Sequence, residues 1–389
     1  MKPFACANIL LLPKGEYLKA ADLLAEAEKS DSSLHQFANV AASFVTGLAD
    51  TPPASSAGAD KSDLRRLSAA ELRDAIPEIV ERARRTSIVI LNEEHQVPRD
   101  RAFALQVARA LWPLGYSILA VEGFHSSADT VGREQNAKRI AETGYVRHDT
   151  GVYTNDPVFG DFVRQSLALG YRPVVYDFVR PKGAPPAADR VAQRDQGEAD
   201  NLMESIFSKA PDAKVLIYVG YSHAAEEPLP SNTWMAARLK RMTGIDPLTI
   251  DQTTLSPSGY ASLYAALKGR LGTPSVVPML DGKPVKFGSL GPAVDIQVAH
   301  PPTRLVRGRP DWLLAMGRSA IEVPAKLRPR TGRVLVQAFI ANEDADAVPV
   351  DQVVVSAGRE PPPFLVPPGP LRFAVRTGYR TGDCDADPE

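Results

Sequence analysis

Little in this chain would tie it to a polyanion or to a bilayer. Lys and Arg together number 45 against 46 for Asp plus Glu, a net charge of -1, so no global attraction to nucleic acid or an anionic membrane surface is implied. No run approaches the roughly 20 apolar residues needed to cross a bilayer, so no membrane span is expected. The start, Met1 to Pro13, has one lysine and a short apolar stretch, Ile9 to Leu12, that Pro13 interrupts. A secretory signal carries an apolar core of about 7 to 15 residues, and the expectation from this poor match is a cytoplasmic protein. There are only two cysteines, Cys6 and Cys384, near opposite ends. Neither flanks a second thiol or a histidine at ligand spacing, so neither a disulfide framework nor a zinc knuckle follows from them.

What is present is ordinary globular material: 389 residues, 44% hydrophobic and 23% charged, enough for one large domain and a smaller appendage. Apolar residues from Tyr17 to Leu48 follow a helical spacing, which predicts two short antiparallel helices in an amino-terminal appendage over 1–50. Residues 51–62, with Pro52, Pro53, Ser55, Ser56 and Gly58, have the composition of a linker.

An α/β catalytic-like domain is expected over 63–300. A helix over 69–84 precedes the apolar run 87–91. The grammar of helix, glycine, short strand then repeats toward 117–121, 173–176, 215–219 and 248–250. Short buried strands separated by amphipathic helices predict a mostly parallel sheet with helices on both faces. Beyond Pro257 the pattern changes: Asp281-Gly282 marks a hairpin turn, 294–299 reads as a strand, and a small β-rich carboxyl-terminal module is expected over 301–380. The acidic tail 381–389 has a disordered composition.

Ligands of open parallel sheets bind where the strands' carboxyl ends meet the loops. The candidate strands are followed there by Asn92-Glu93-Glu94-His95, Glu122, Asp177, Gly220-Tyr221-Ser222-His223 and Asp251-Gln252. A carboxylate in that place often only caps the next helix, so Asp177 and Asp251 carry the weaker functional expectation. His35, His125, His148 and His300 read as surface or core histidines. His95 and His223 differ, because each follows a strand of the same sheet with another polar group beside it. In extended chain Glu93 and His95 share a face and Glu94 points away, and a neighbouring strand at ~4.8 Å brings Glu122 within reach. Two acids and two imidazoles either hold a divalent metal or divide proton-transfer duties without one. Loop residues add Tyr153 and Asn155, from the long connection 123–156, and Arg194 and Gln196, near a helix start, as candidate contacts to a small-molecule substrate. Asn155 and Asp156 serve equally well as helix caps.

The motifs Asn92-Glu93-Glu94-His95, Glu122 after the second strand, and Gly220-Tyr221-Ser222-His223 resemble those of the erythromycin esterase, ChaN-like and TraB/TIKI-like superfamily, nearest to its uncharacterised bacterial members. In that superfamily a Gly-Glu-x-His or similar motif follows the first strand, an acid the second, and a glycine-histidine signature a late one. The resemblance spans 88–252 and implies Glu93, His95, Glu122 and His223 as the site. This sequence departs from the pattern at Asn92, where glycine is frequent, and in Tyr221-Ser222, which separates Gly220 from His223. Because the superfamily contains esterases, metal-dependent peptidases and haem-binding lipoproteins, shared fold does not choose the reaction. Two expectations follow. One is an esterase-like hydrolase, with or without a divalent metal on Glu93, His95, Glu122 and His223. The other is a haem- or cofactor-binding protein of the ChaN-like type.

Overall fold

The computed structural model describes residues 1–48, 58–183, 189–380 and 382–384. Its centre is a six-stranded parallel sheet built from β1 (Ile88–Glu93), β2 (Ile118–Val121), β3 (Arg172–Val174), β4 (Val215–Gly220), β5 (Leu248–Asp251) and β6 (Ile296–Gln297), in the order β3-β2-β4-β1-β5-β6. β1 is apolar from Ile88 to Leu91, and all its residues are buried, as a strand covered on both faces must be. Successive side chains alternate. Val89 and Leu91 enter one core with Phe103, Val107, Phe159 and Phe162, while Ile88 and Ile90 enter the other with Ala199, Leu202 and Leu239. Each such aliphatic side chain contributes about 1.5–3 kcal/mol on burial, so a one-residue slip of β1 would forfeit several of them.

Helices α1 (Pro98–Leu111) and α2 (Pro157–Leu169) cover the first face, and α3 (Arg190–Leu202) with the helix Met235–Thr243 covers the second. Register positions the strand ends. Glu93 lies opposite Gly220 across the β1–β4 ladder, and Val121 lies opposite Tyr218 across β2–β4, so Glu122 leaves the sheet beside Gly220.

The expected hairpin forms between Val276–Leu280 and Lys283–Pro284. Asp281 and Gly282 both take positive φ, 51° and 74°, as a two-residue turn of this hand requires. The span 69–84, expected as one helix, instead follows a separate helix Lys61–Ala69 and is divided into a strand Glu71–Asp74, which pairs with Val276–Leu280, and a helix Ala75–Ala83. Residues 51–57 of the expected linker lie outside the described residues; Asp60 caps the helix Lys61–Ala69 by accepting from the Asp63 N–H.

The amino-terminal helices Tyr17–Glu28 and His35–Thr46 pack on the carboxyl-terminal sheet Asp351–Ser356, Arg333–Ile340 and Leu371–Thr377. Leu335 shares a core with Tyr17, Leu18 and Phe44, and Gln352 donates to the Phe44 carbonyl at 2.7 Å. Cys6 and Cys384 are joined in a disulfide across a sequence separation of 378. This corrects the expectation that the two thiols have no disulfide role: ends remote in sequence meet because the first and last segments belong to one packed unit. No helix among the described residues is long and apolar enough to cross a membrane.

Candidate functional site

The strand ends gather two linked groups of ionisable side chains. The first is built on Glu93. Its Oε2 accepts from Arg101 Nε at 2.7 Å and from the Tyr218 hydroxyl at 2.8 Å, and its Oε1 accepts from Arg101 Nη2 at 2.9 Å. His95 Nδ1 lies 2.9 Å from the same Oε1. Arg101 is wholly buried and also pairs with Asp156 at 2.7 Å and with the His95 carbonyl at 2.7 Å. Burial alone would raise the Glu93 pKa; the charge of Arg101 and the hydrogen bonds of His95 and Arg101 outweigh it and bring the group down to about 2. The carboxylate is therefore fixed in charge and direction, and it fixes the imidazole in turn.

The ring of His95 stacks on Tyr153, with centroids 4.0 Å apart, and meets Tyr221 edge-on. Its Nε2 makes no hydrogen bond to another described residue. That edge faces Gly220, where an added Cβ would stand 2.6 Å from His95 Cε1, 3.0 Å from Nε2 and 3.3 Å from Glu122 Oε2. Glycine is required there for space, since any side chain would occupy the gap between the imidazole and Glu122. The following residue, Tyr221, holds φ at 43°, a conformation of the kind that persists at sites where packing over-determines the backbone.

The second group is built on Glu122. It accepts from the Gly220 N–H and from Arg194, and its Oε1 is 3.9 Å from His223 Nε2. His223 Nδ1 is held by Asp195 Oδ1 at 2.8 Å and lies 3.6 Å from Glu198. Asp195 is itself fixed by Asn232 and by the Met235 N–H. Burial lowers the His223 pKa, but Asp195, Glu122 and Glu198 overcome it and push it up to about 9, so the ring is an imidazolium at neutral pH. Glu198 is pushed up to about 9 by burial and by Glu122, and Asp177 to about 6 for the same two reasons. Arg194 stands among these acids, 2.7 Å from Glu198 and 3.6 Å from Asp177. Neither Glu198 oxygen completes an aligned hydrogen bond, so Arg194 approaches that carboxyl without a directed donor.

Glu93, His95, Glu122 and His223 thus lie along one continuous path. Tyr153, Asp177 and Arg194 border it. Asn155 does not: it is turned away to His148 and the Gly151 carbonyl. Gln196 is bonded to Asp200 and Arg238. Asp156 caps α2 by accepting from the Val158 N–H and also anchors Arg101. Sequence reasoning missed Arg101, Tyr218 and Glu198 and assigned no role to Asp195. The one signal available was helical spacing, which sets Glu198 three residues after Asp195 and four after Arg194.

Among the described residues, two sets of carboxylate and imidazole atoms lie within 4.8 Å of one another, Asp195–Glu198–His223 and Glu122–Asp177–Glu198. The four residues expected as metal ligands are not such a set; Glu93 spends both oxygens on Arg101, Tyr218 and His95. Arg194 already supplies positive charge among the acids of the second set. Asn92, at the position where the resembling family often has glycine, stitches β1 to its neighbours by donating to the Tyr221 carbonyl and to Asp251, each at 2.9 Å.

No family model matches the chain, and no curated protein matches it. Among solved structures it is similar to the type III effector HopBA1, at 14% identity and a TM-score of 0.35, over 60% of this chain and 98% of that one. It is also similar to ChaN of Campylobacter jejuni, a structure of cofacial heme binding, at 10% identity and a TM-score of 0.31, over 46% of this chain and 85% of that one. A bacterial protein toxin matches at 14% identity and a TM-score of 0.34, over 57% of this chain and 46% of that one. At these TM-scores none of the likenesses carries an argument about the reaction.

Proposed function

We propose that the chain is an esterase-like hydrolase in which Glu93 orients His95 and His95 Nε2 takes a proton from the attacking water. The observation that carries this reading is the imidazole itself: Nδ1 is engaged by a carboxylate that is locked by Arg101 and Tyr218, and Nε2 makes no hydrogen bond to another described residue. A base held by an oriented third group is the arrangement that general-base catalysis asks for. His223, kept charged by Asp195, donates a proton or stabilises the developing oxyanion, and Arg194 adds positive charge at the same edge. Glu122 holds Arg194 and the Gly220 backbone. Tyr153, Asp177 and Arg194 are the proposed substrate contacts.

In the metal-assisted form of this reading, the donors would come from Asp195, Glu198 and His223 or from Glu122, Asp177 and Glu198. A bound cation there would lower the pKa of water. The test is a screen of ester and peptide substrates with metal analysis of the same preparation, followed by His95→Ala. The substitution is expected to lower turnover by about 10²–10⁴-fold with an unchanged circular dichroism spectrum. Unchanged turnover of an identified substrate ends the proposal. The haem-binding alternative is decided on the same sample by haem addition, where the absence of a Soret shift removes it.

A further inference from the structure

A cavity of about 560 Å³ opens on the other side of the segment that carries Glu93 and His95. That volume is within the range of small-molecule sites, which are mostly apolar with a few fixed polar groups. Leu48, Pro98, Leu255, Tyr264, Pro302 and Trp312 make up much of its wall. Glu94, facing away from Glu93 and His95, holds this side together by accepting from Ser256 at 3.1 Å and Ser258 at 2.6 Å, both of which line the cavity.

One cation in the wall of this space is largely withdrawn from water and has no ion pair among the described residues. Arg99 donates to the Pro301 carbonyl, and no acid lies within ion-pair distance of its guanidinium. Lys268, at the end of the helix Ala261–Lys268, also lines the cavity and is exposed. Arg99 also sits in the first turn of α1, where the unpaired N–H groups already favour negative charge and disfavour a cation. A guanidinium placed there, largely withdrawn from water and influenced by Tyr264, Asp311 and Asp100 without an ion pair to any of them, is an arrangement that an incoming anion would stabilise. The acid in the wall, Asp100, lies 3.7 Å from His300 and makes no ion pair with Arg99. Asp100 accepts the Glu94 N–H at 3.0 Å, and burial, then Glu94 and Glu93, push its pKa well above the usual range toward the neutral form. His300 also lines the space, but both ring nitrogens are engaged, by Ser275 at 2.7 Å and Gln252 at 2.9 Å, and burial and Arg99 keep it uncharged.

We propose that this cavity is a binding site for an amphipathic carboxylate, with the anionic head on Arg99 and Lys268 and an apolar body against Leu255, Tyr264 and Trp312. The site is independent of the hydrolytic reading.

Calorimetric titration of the full chain with decanoate and with decanol tests it. Decanoate is expected to bind saturably and at least about tenfold more tightly than decanol, the size of effect a charge-assisted hydrogen bond supplies. Arg99→Gln should bring decanoate down to the level of decanol, and Arg99→Lys should retain part of the preference. Ala265→Phe, which fills the cavity from the helix Ala261–Lys268, should abolish binding of both ligands. Absence of saturable decanoate binding overturns the proposal, as does decanol binding within threefold of decanoate, a folded Arg99→Gln protein with undiminished preference, or a folded Ala265→Phe protein that binds normally.

Discussion

The two halves of the strand-end site treat buried charge in opposite ways. Around Glu93 every acceptor has a directed donor, and the carboxylate is driven down to about 2. Around Glu198 four acids share one guanidinium and one imidazolium, Glu198 has no aligned donor, and its pKa is driven up to about 9. The contrast teaches that burial decides little by itself, since both carboxyl groups are almost fully covered. Direction and number of donors decide whether the group is locked as an anion or left ready to hold a proton. The first half fixes one carboxylate in direction; the second packs several acids around two cations.

The largest test of that contrast removes the lock. Arg101→Met leaves Glu93 and Asp156 as buried carboxylates without a counter-charge, and unfolding in urea should show a loss of about 3–5 kcal/mol; a loss under about 1 kcal/mol would show that the clamp does not form in solution. The next test uses pH, where the halves should differ in sign. Glu93 is depressed from 4.5, so its contribution is present above that value and is lost as the pH falls toward about 2. His223 is raised from 6.5, so its contribution is complete below 6.5 and is lost as the pH rises through about 9. Proton linkage puts each effect on the order of a few kcal/mol. A histidine titration by NMR should place one imidazole near 9, and Asp195→Asn should bring it back toward 6.5; a ring that titrates near 6.5 in the unaltered protein removes the second half of the comparison. The last test is Glu198→Gln. With its carboxyl raised from 4.5 to about 9, Glu198 subtracts stability as the pH rises through that window; the amide does not ionise, so the protein should gain stability at pH 7, by up to about 3 kcal/mol, and its decline toward pH 9 in thermal unfolding should become shallower.

Strand ends were legible because a doubly covered strand is apolar along most of its length, so the first polar residues after Leu91, Val121 and Val219 mark the carboxyl edge of the sheet. The opposite facing of Glu93 and Glu94 follows from the pleat alone. Arg101 was not legible. An arginine in an amphipathic helix usually reads as surface, and only the packing of α1 beneath the strand end turns it onto Glu93. Asn155 and Gln196 were over-read for the converse reason: nearness in sequence to a site says nothing of which way a side chain turns once its own turn or helix is capped. The strand Glu71–Asp74 was read as helix, because its conformation is imposed by pairing with Val276–Leu280, some two hundred residues away.

The sequence by itself determined the parallel sheet and which acids and imidazoles stand at its carboxyl edge, since these depend on local periodicity and on the two-residue repeat of a strand. Tertiary structure decided the rest. It set the surroundings of each carboxyl group and the joining of Cys6 to Cys384, and it turned Glu94 away from Glu93 and His95 toward a separate cavity. Each of these depends on which remote groups share a small volume of low dielectric, and no local pattern of residues encodes that.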